Sequence, residues 1–121
     1  MENNLLKMGI GTKEHTKLQP KAVLIQKVEV QAKAKGNIVE CLCIHPDRNE
    51  PVKISKVKIE LKSKLSVSGL WLNTDEDDLI VKSSALAKFL VFMNCKTIEE
   101  LNNKSCNTVE DDSGYLVLKG Y

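Results

Sequence analysis

The pattern of apolar and polar positions predicts a series of β-strands followed by one helical segment. Residues 22–32 are rich in β-branched side chains that alternate with polar ones, which is typical of a strand. The parity of this alternation changes once, and this predicts a bulge near Gln26–Lys27. A turn at Gly36–Asn37 leads into a continuous apolar run over residues 38–44. These two segments are therefore predicted to form a hairpin.

A further strand is predicted over residues 52–61, after a loop that contains two prolines. Apolar residues alternate with lysines along it, again with one change of parity. The pattern places four lysines largely outward: Lys53, Lys56, Lys58 and Lys62. The apolar segment 65–72, an acidic turn and a short strand over residues 79–81 follow.

Helical periodicity is sustained only after this point. Ser83 or Ser84 is a suitable N-cap, and four apolar residues then recur at helical spacing: Leu86, Phe89, Leu90 and Met93. Asn94 ends this predicted helix. Thr97 and Glu100 have the spacing of a capping box, which predicts a second short helix. The last residues are predicted to form a hairpin around a turn at 111–114.

This order of elements predicts a mainly β fold with one helical segment, in the α+β class. Strands, then a helix, then two strands is the order of a small OB-like β-barrel, with an extra strand or hairpin before the helix. The apolar face of the helix would then cover one end of the barrel. A split β-barrel of another topology remains an alternative. Residues 1–20 are interpreted as an N-terminal arm and residues 21–121 as a single domain.

Composition is consistent with one globular domain. The chain has 121 residues, of which 42% are hydrophobic and 28% charged. It contains no apolar run long enough for a transmembrane helix, and its first ten residues lack the pattern of a secretory signal. We therefore expect a cytoplasmic protein that has no membrane partner.

The charge is distributed unevenly along the chain. Residues 1–64 hold 13 basic and 7 acidic side chains, whereas residues 65–121 hold 5 basic and 9 acidic ones. Such a division can create a basic surface that binds a polyanion, but it is equally typical of a solvated lysine-rich surface.

Two groups of residues resemble metal sites at first sight. The stretch at 73–84 has Asn73, Asp75 and Asp77 at the alternating positions with which a calcium loop begins. However, Asp78 and Ser84 replace the diagnostic glycine and glutamate of such a loop. Cys41, Cys43 and His45 would share one face of a strand, without the spacing of a zinc knuckle. We therefore interpret the first as a hairpin tip and the cysteines as core residues, and expect no metal.

The chain contains no recognised catalytic signature. A nucleophile elbow, a phosphate-binding glycine loop and an H-E-x-x-H motif are all missing from the sequence. We therefore expect neither catalysis, nor a cofactor, nor a small-molecule substrate.

Nucleic-acid binding is the more specific hypothesis for the lysine-rich strands. OB barrels bind single strands with a basic groove and with aromatic rings on which bases stack. The aromatic fraction is low, at 4%, so few stacking rings are offered. Trp71 belongs either to the barrel core or to a binding face, and the sequence leaves both readings open. The candidate binding residues are Lys27, Lys33, Lys35, Lys53, Lys56, Lys58, Trp71 and Tyr115.

The segment 83–121 resembles the C-terminal part of small single-stranded-DNA-binding proteins of tailed phages and archaeal viruses. The similarity is carried by a helix ending at Leu101-Asn102-Asn103-Lys104, by Gly114-Tyr115 and by the final Tyr121. In this chain Asn103 replaces the family's glycine, and the acidic C-terminal tail of many single-strand binders is missing. The resemblance implies an OB-like fold and a viral protein that acts beside replication or recombination machinery.

The sequence therefore predicts a non-catalytic protein that binds single-stranded DNA or RNA. The rival is a structural or protein-interaction module, such as a virion component, assembly factor or adaptor. In either case the N-terminal arm could join copies of the chain in a homo-oligomer.

Overall fold

The computed structural model of the chain describes Gly9 and residues 18–121, and this part is mainly β-structure with one α-helix. Most of the predicted N-terminal arm, and with it the proposed contact between copies, lies outside the described residues. No helix in the described part of the chain has the length and apolar character needed to cross a membrane.

The described residues form eight strands, one α-helix and one 3-10 helix. The strands that precede the α-helix are β1 (Val23–Lys33), β2 (Gly36–Ile44), β3 (Val52–Ile54), β4 (Lys56–Leu61) and β5 (Lys64–Gly69). The α-helix α1 (Ala85–Phe92) and a 3-10 helix (Ile98–Leu101) follow. The chain ends with β6 (Lys104–Cys106), β7 (Thr108–Glu110) and β8 (Leu116–Lys119).

The strands form two four-stranded sheets that curl into a barrel-like shape. The order is β3-β2-β1-β6 in the first sheet and β5-β4-β8-β7 in the second. All neighbouring pairs are antiparallel except β4 and β8, which are parallel. The two predicted hairpins, β1–β2 and β7–β8, are both confirmed.

Two short breaks let the chain pass from one sheet to the other. Ser55 alone separates β3 from β4, and Asn107 alone separates β6 from β7. Ile54 and Val57 are both buried on either side of the first break, so the predicted change of parity in this segment is confirmed. The bulge predicted in β1 is also confirmed, as a shift of register between Ile25 and Lys27.

Helix α1 contributes three side chains to the core, which are Leu86, Phe89 and Leu90. The helix begins at the predicted cap, where the Ser84 hydroxyl accepts a hydrogen bond of 3.2 Å from the Ala87 amide. It ends before Asn94, whose φ of 58° lies in the left-handed region. The second predicted helix is present as the 3-10 helix, with the Thr97 amide bonded to the Glu100 carboxylate.

The short strand predicted over residues 79–81 does not form. This segment contributes only an isolated bridge between Ile80 and Thr74. Leu79 is exposed, and although Ile80 packs against the core, strand pairing does not extend beyond this single bridge. The acidic stretch before it is a turn, in which one oxygen of the Asp75 carboxylate accepts bonds from the amides of Asp77 and Leu79.

The residues just before β1 are attached to the barrel. The buried His45 ring donates to the carbonyl oxygen of Gln19 at 2.7 Å and accepts from the Asp47 amide at 3.0 Å. Thr108 exchanges two hydrogen bonds with the backbone of Lys21. These bonds attach Gln19 and Lys21 to the barrel, although the sequence assigned residues 18–20 to the arm.

Candidate nucleic-acid interface

A groove of about 460 Å³ runs between the bent β3–β4 segment and the turn before β8. Three cationic side chains line it: Arg48, Lys53 and Lys56. Tyr115 and Asp111 line it from the turn. We call these five residues the basic groove. It holds three cations against one carboxylate, so its charge favours an anion.

The bend at Ser55 explains why two lysines on different strands serve the same groove. A regular strand would send residues 53 and 56 to opposite faces, because side chains alternate. Across the break, Lys53 and Lys56 are both exposed while Ile54 and Val57 are both buried. The change of parity that keeps the core continuous therefore also keeps the two lysines on one outer side.

The acidic partners of these cations are loosely placed. The Arg48 guanidinium lies 3.8 Å from the Glu50 carboxylate, and the Lys53 ammonium lies 4.0 Å from the Glu40 carboxylate. The Arg48–Glu50 pair is exposed, and such pairs contribute little, at most about 1 kcal/mol, and are screened by salt, whereas the side chain of Glu40 is only 17% exposed. A phosphate could therefore replace the Glu50 carboxylate at small cost.

Tyr115 is the aromatic residue of the groove. It is 65% exposed and follows the turn at 111–114 that the sequence predicted. An exposed ring beside lysines is suited to stacking against a base, which contributes about 1–3 kcal/mol for each stacked base.

A second groove, of about 430 Å³, lies on the other side of the same turn. Lys58 lines it together with Leu65 and Val67 of β5 and with Asp112. Asp111 lines both grooves. The lysines of β3 and β4 are thus shared between the two grooves. Lys53 and Lys56 line the basic groove, and Lys58 lines the second one.

The remaining predicted lysines lie elsewhere. Lys27 is on the outer face of β1, where its ammonium is 3.4 Å from the Glu29 carboxylate. Lys33 ends β1 and Lys35 lies in the turn that follows, at the end of the β1–β2 hairpin away from β3. The predicted set is therefore divided between the two sheets, and the basic groove unites only Lys53, Lys56 and Tyr115 of it.

The sequence left open whether Trp71 belongs to the barrel core or to a binding face. In the structure its side chain is half-buried, which is intermediate between the two. The Trp71 backbone forms an isolated antiparallel β-bridge with Ile38 of β2. The indole packs so closely over Gly69 that a Cβ added to this glycine would lie 2.7 Å from the indole Nε1. The ring thus covers a glycine on the outside of the barrel. Trp71 does not line either groove.

All four cysteines are buried and carry free thiols, and this confirms the prediction of core positions for Cys41 and Cys43. Burial raises the pKa of Cys41 to about 12 and that of Cys106 to about 11, and it also raises the pKa of Cys43. Among the described residues, no group of three or more histidine, cysteine or acidic side chains is placed to hold a metal ion.

Sequence reasoning missed Arg48 and Asp111 as residues of the groove. Arg48 is the only arginine of the chain, which was a usable signal, but it lies in an irregular loop. Asp111 was recognised only as part of a turn. Asp111 reaches the groove because β8 pairs with β4, a contact between residues about 60 positions apart, whereas Arg48 lies in the loop just before β3.

Comparisons with protein-family models, with curated proteins and with solved structures find no match to this chain. The chemistry of the groove therefore has to be understood from its own residues.

Proposed function

We propose that this protein binds single-stranded nucleic acid in the basic groove, without catalysis. The observation that carries the proposal is the convergence of Arg48, Lys53 and Lys56 with the exposed ring of Tyr115 on one concave surface. Proteins that bind single strands combine cationic side chains along the phosphate backbone of the nucleic acid with aromatic rings that stack on its bases.

We also propose that the barrel is of the OB type. When β3–β4 and β6–β7 are each counted as one bent strand, the neighbours run β1, β2, β3–β4, β8, β7–β6 and back to β1. Helix α1 then falls between the third and fourth strands. OB barrels bind oligonucleotides on the face of their second and third strands and on adjoining loops, and the basic groove lies at the corresponding third strand and last loop.

The test is fluorescence anisotropy of a labelled oligo-dT across a series of salt concentrations. Single-strand binding lowers log K against log salt with a slope of about −0.7 per neutralised phosphate, so three cations predict a slope of about −2. The double variant Lys53→Ala/Lys56→Ala should bind more weakly, with a slope of about −0.7.

The matched control is Lys82→Ala/Lys88→Ala, which removes two exposed lysines that do not line the groove. It should retain both the affinity and the slope of the unchanged protein. Equal loss in the two double variants would mean that binding is spread over the surface, and no binding at low salt would refute the proposal.

A structural or interaction module is the second candidate, and exposed apolar side chains favour it. Val91 is 78% exposed and Phe92 is 49% exposed at the end of α1, and Leu65 and Val67 are exposed on the edge strand β5. Exposed apolar groups and unpaired strand edges are common sites of association. A defined oligomer by light scattering, together with indifference to oligonucleotides, would favour this candidate.

The resemblance to viral single-strand binders supports a further proposal, that the protein acts as an accessory to replication or recombination. Its preference between DNA and RNA can be measured in the same assay with oligo-dT and oligo-U of equal length.

A further inference from the structure

One side-chain atom organises the turn that carries Tyr115. Oδ1 of Asp111 accepts hydrogen bonds of 2.9 Å from the amides of both Ser113 and Tyr115. The backbone of Asp111 adds two bonds, from its amide to the Tyr115 carbonyl at 2.8 Å and from the Gly114 amide to its own carbonyl at 3.0 Å. The position of Tyr115 therefore depends on an acceptor four residues earlier.

The same carboxylate lies inside the groove. Asp111 lines the groove beside Lys56 and Tyr115. Hydrogen bonds from the amides of Tyr115 and Ser113, together with the charge of Lys56, hold the pKa of Asp111 below its usual value. Asp111 is thus ionised at neutral pH, and it places a negative charge between the basic groove and the second groove.

We propose that Asp111 is a positioning residue with two separable effects on a bound single strand. Its Oδ1 atom holds Tyr115 on the groove wall, where the ring can stack on a base. Its negative charge keeps phosphates away from this turn, so that they lie toward Arg48 and Lys53. This inference rests on the proposed function, because it assigns the orientation of the strand in the same groove.

Two substitutions separate these effects. Asp111→Ala removes both the acceptor and the charge. Asp111→Asn removes the charge but keeps a side-chain oxygen that can accept from the amides of Ser113 and Tyr115. The two variants have the same net charge, so a difference between them reports the acceptor alone.

The expected results in the oligo-dT assay at low salt differ between the two variants. Asp111→Asn should bind about two- to fivefold more tightly than the unchanged protein, because one repulsive charge is lost. Asp111→Ala should bind less tightly than Asp111→Asn, by a factor that approaches the loss in Tyr115→Ala, about 5- to 150-fold for one stacked base. The double variant Asp111→Ala/Tyr115→Ala should be no weaker than Tyr115→Ala.

A second measurement follows the turn without nucleic acid. In the amide NMR spectrum, Asp111→Ala should shift the resonances of Ser113 and Tyr115 strongly, whereas Asp111→Asn should shift them little. Both resonances of the unchanged protein should titrate only at acid pH, since the hydrogen bonds weaken when the carboxyl group is protonated.

Failure of the inference differs from failure of the proposed function. If the unchanged protein binds oligo-dT and Asp111→Ala binds as tightly as Asp111→Asn, the positioning role is wrong and the proposed function stands. If nothing binds, the proposed function and the strand orientation are both wrong, and the NMR shifts alone decide whether Asp111 positions Tyr115. Unchanged Ser113 and Tyr115 resonances in Asp111→Ala would overturn that role as well.

Discussion

Burial decides the chemistry of individual cysteines. The sulfur atoms of Cys41, Cys43 and Cys106 lie in the core, where the neutral thiol is favoured over the thiolate. Alternation along β2 was enough to predict that Cys41 and Cys43 share one face. Their interpretation as core residues, made because free cysteine is commonly buried, is confirmed.

Thiol reactivity provides a prediction at this scale. Burial raises the pKa of Cys41 from 9.0 to about 12 and that of Cys106 from 9.0 to about 11, so alkylation by iodoacetamide at pH 8 should be slow in the folded protein and fast in denaturant. Above pH 9 the unfolded chain binds fewer protons than the folded one, so stability should fall as the pH rises from about 9 to about 12. Peptide mass spectrometry measures the extent of alkylation at each cysteine. Fast alkylation of either thiol under native conditions would contradict the burial of that cysteine.

Trp71 is a residue whose environment the sequence could not determine. Its type is compatible with a core or with a binding face, and both were left open. The structure places it over Gly69 and beside Ile38, in neither groove. That position depends on a bridge between segments more than 30 residues apart, and local pattern carries no information about such a bridge.

At the scale of elements, local signals were largely sufficient. The bulge in β1, the break at Ser55 and the start of α1 were each predicted from periodicity or from a capping residue, and each is present. The prediction of a strand at residues 79–81 is wrong. These residues have the composition of a strand, but they join neither sheet and form only an isolated bridge. Elements that depend on tertiary packing are those for which local propensity fails.

The cap of α1 can be tested with a matched pair of serines. The Ser84 hydroxyl accepts from the Ala87 amide at 3.2 Å and donates to the Val81 carbonyl at 2.7 Å. Ser84→Ala should therefore lower the free energy of unfolding by about 1 kcal/mol. Ser83→Ala, at the exposed neighbouring position, should change it by less than about 0.5 kcal/mol. Equal effects in denaturant titrations would show that the cap does not stabilise the helix.

At the scale of the whole molecule, strand pairing decides which residues form the basic groove, and the sequence could not predict this. The charge division along the chain indicated a basic surface, but it did not indicate which lysines share it. Parallel pairing of β4 with β8 brings the turn of Asp111 and Tyr115 beside Lys56, and the bend at Ser55 adds Lys53. Lys27, Lys33 and Lys35 look equivalent to these in sequence, yet they lie on β1 or in the turn that follows it and do not line the groove.

The most direct test of the basic groove is amide NMR of the labelled protein titrated with oligo-dT. Binding in the groove should shift the resonances of Arg48, Lys53, Lys56 and Tyr115 first and most, while those of Val91 and Phe92 on α1 remain in place. Shifts that cluster on α1, or that are spread evenly over the barrel while the groove residues stay unchanged, would contradict the account.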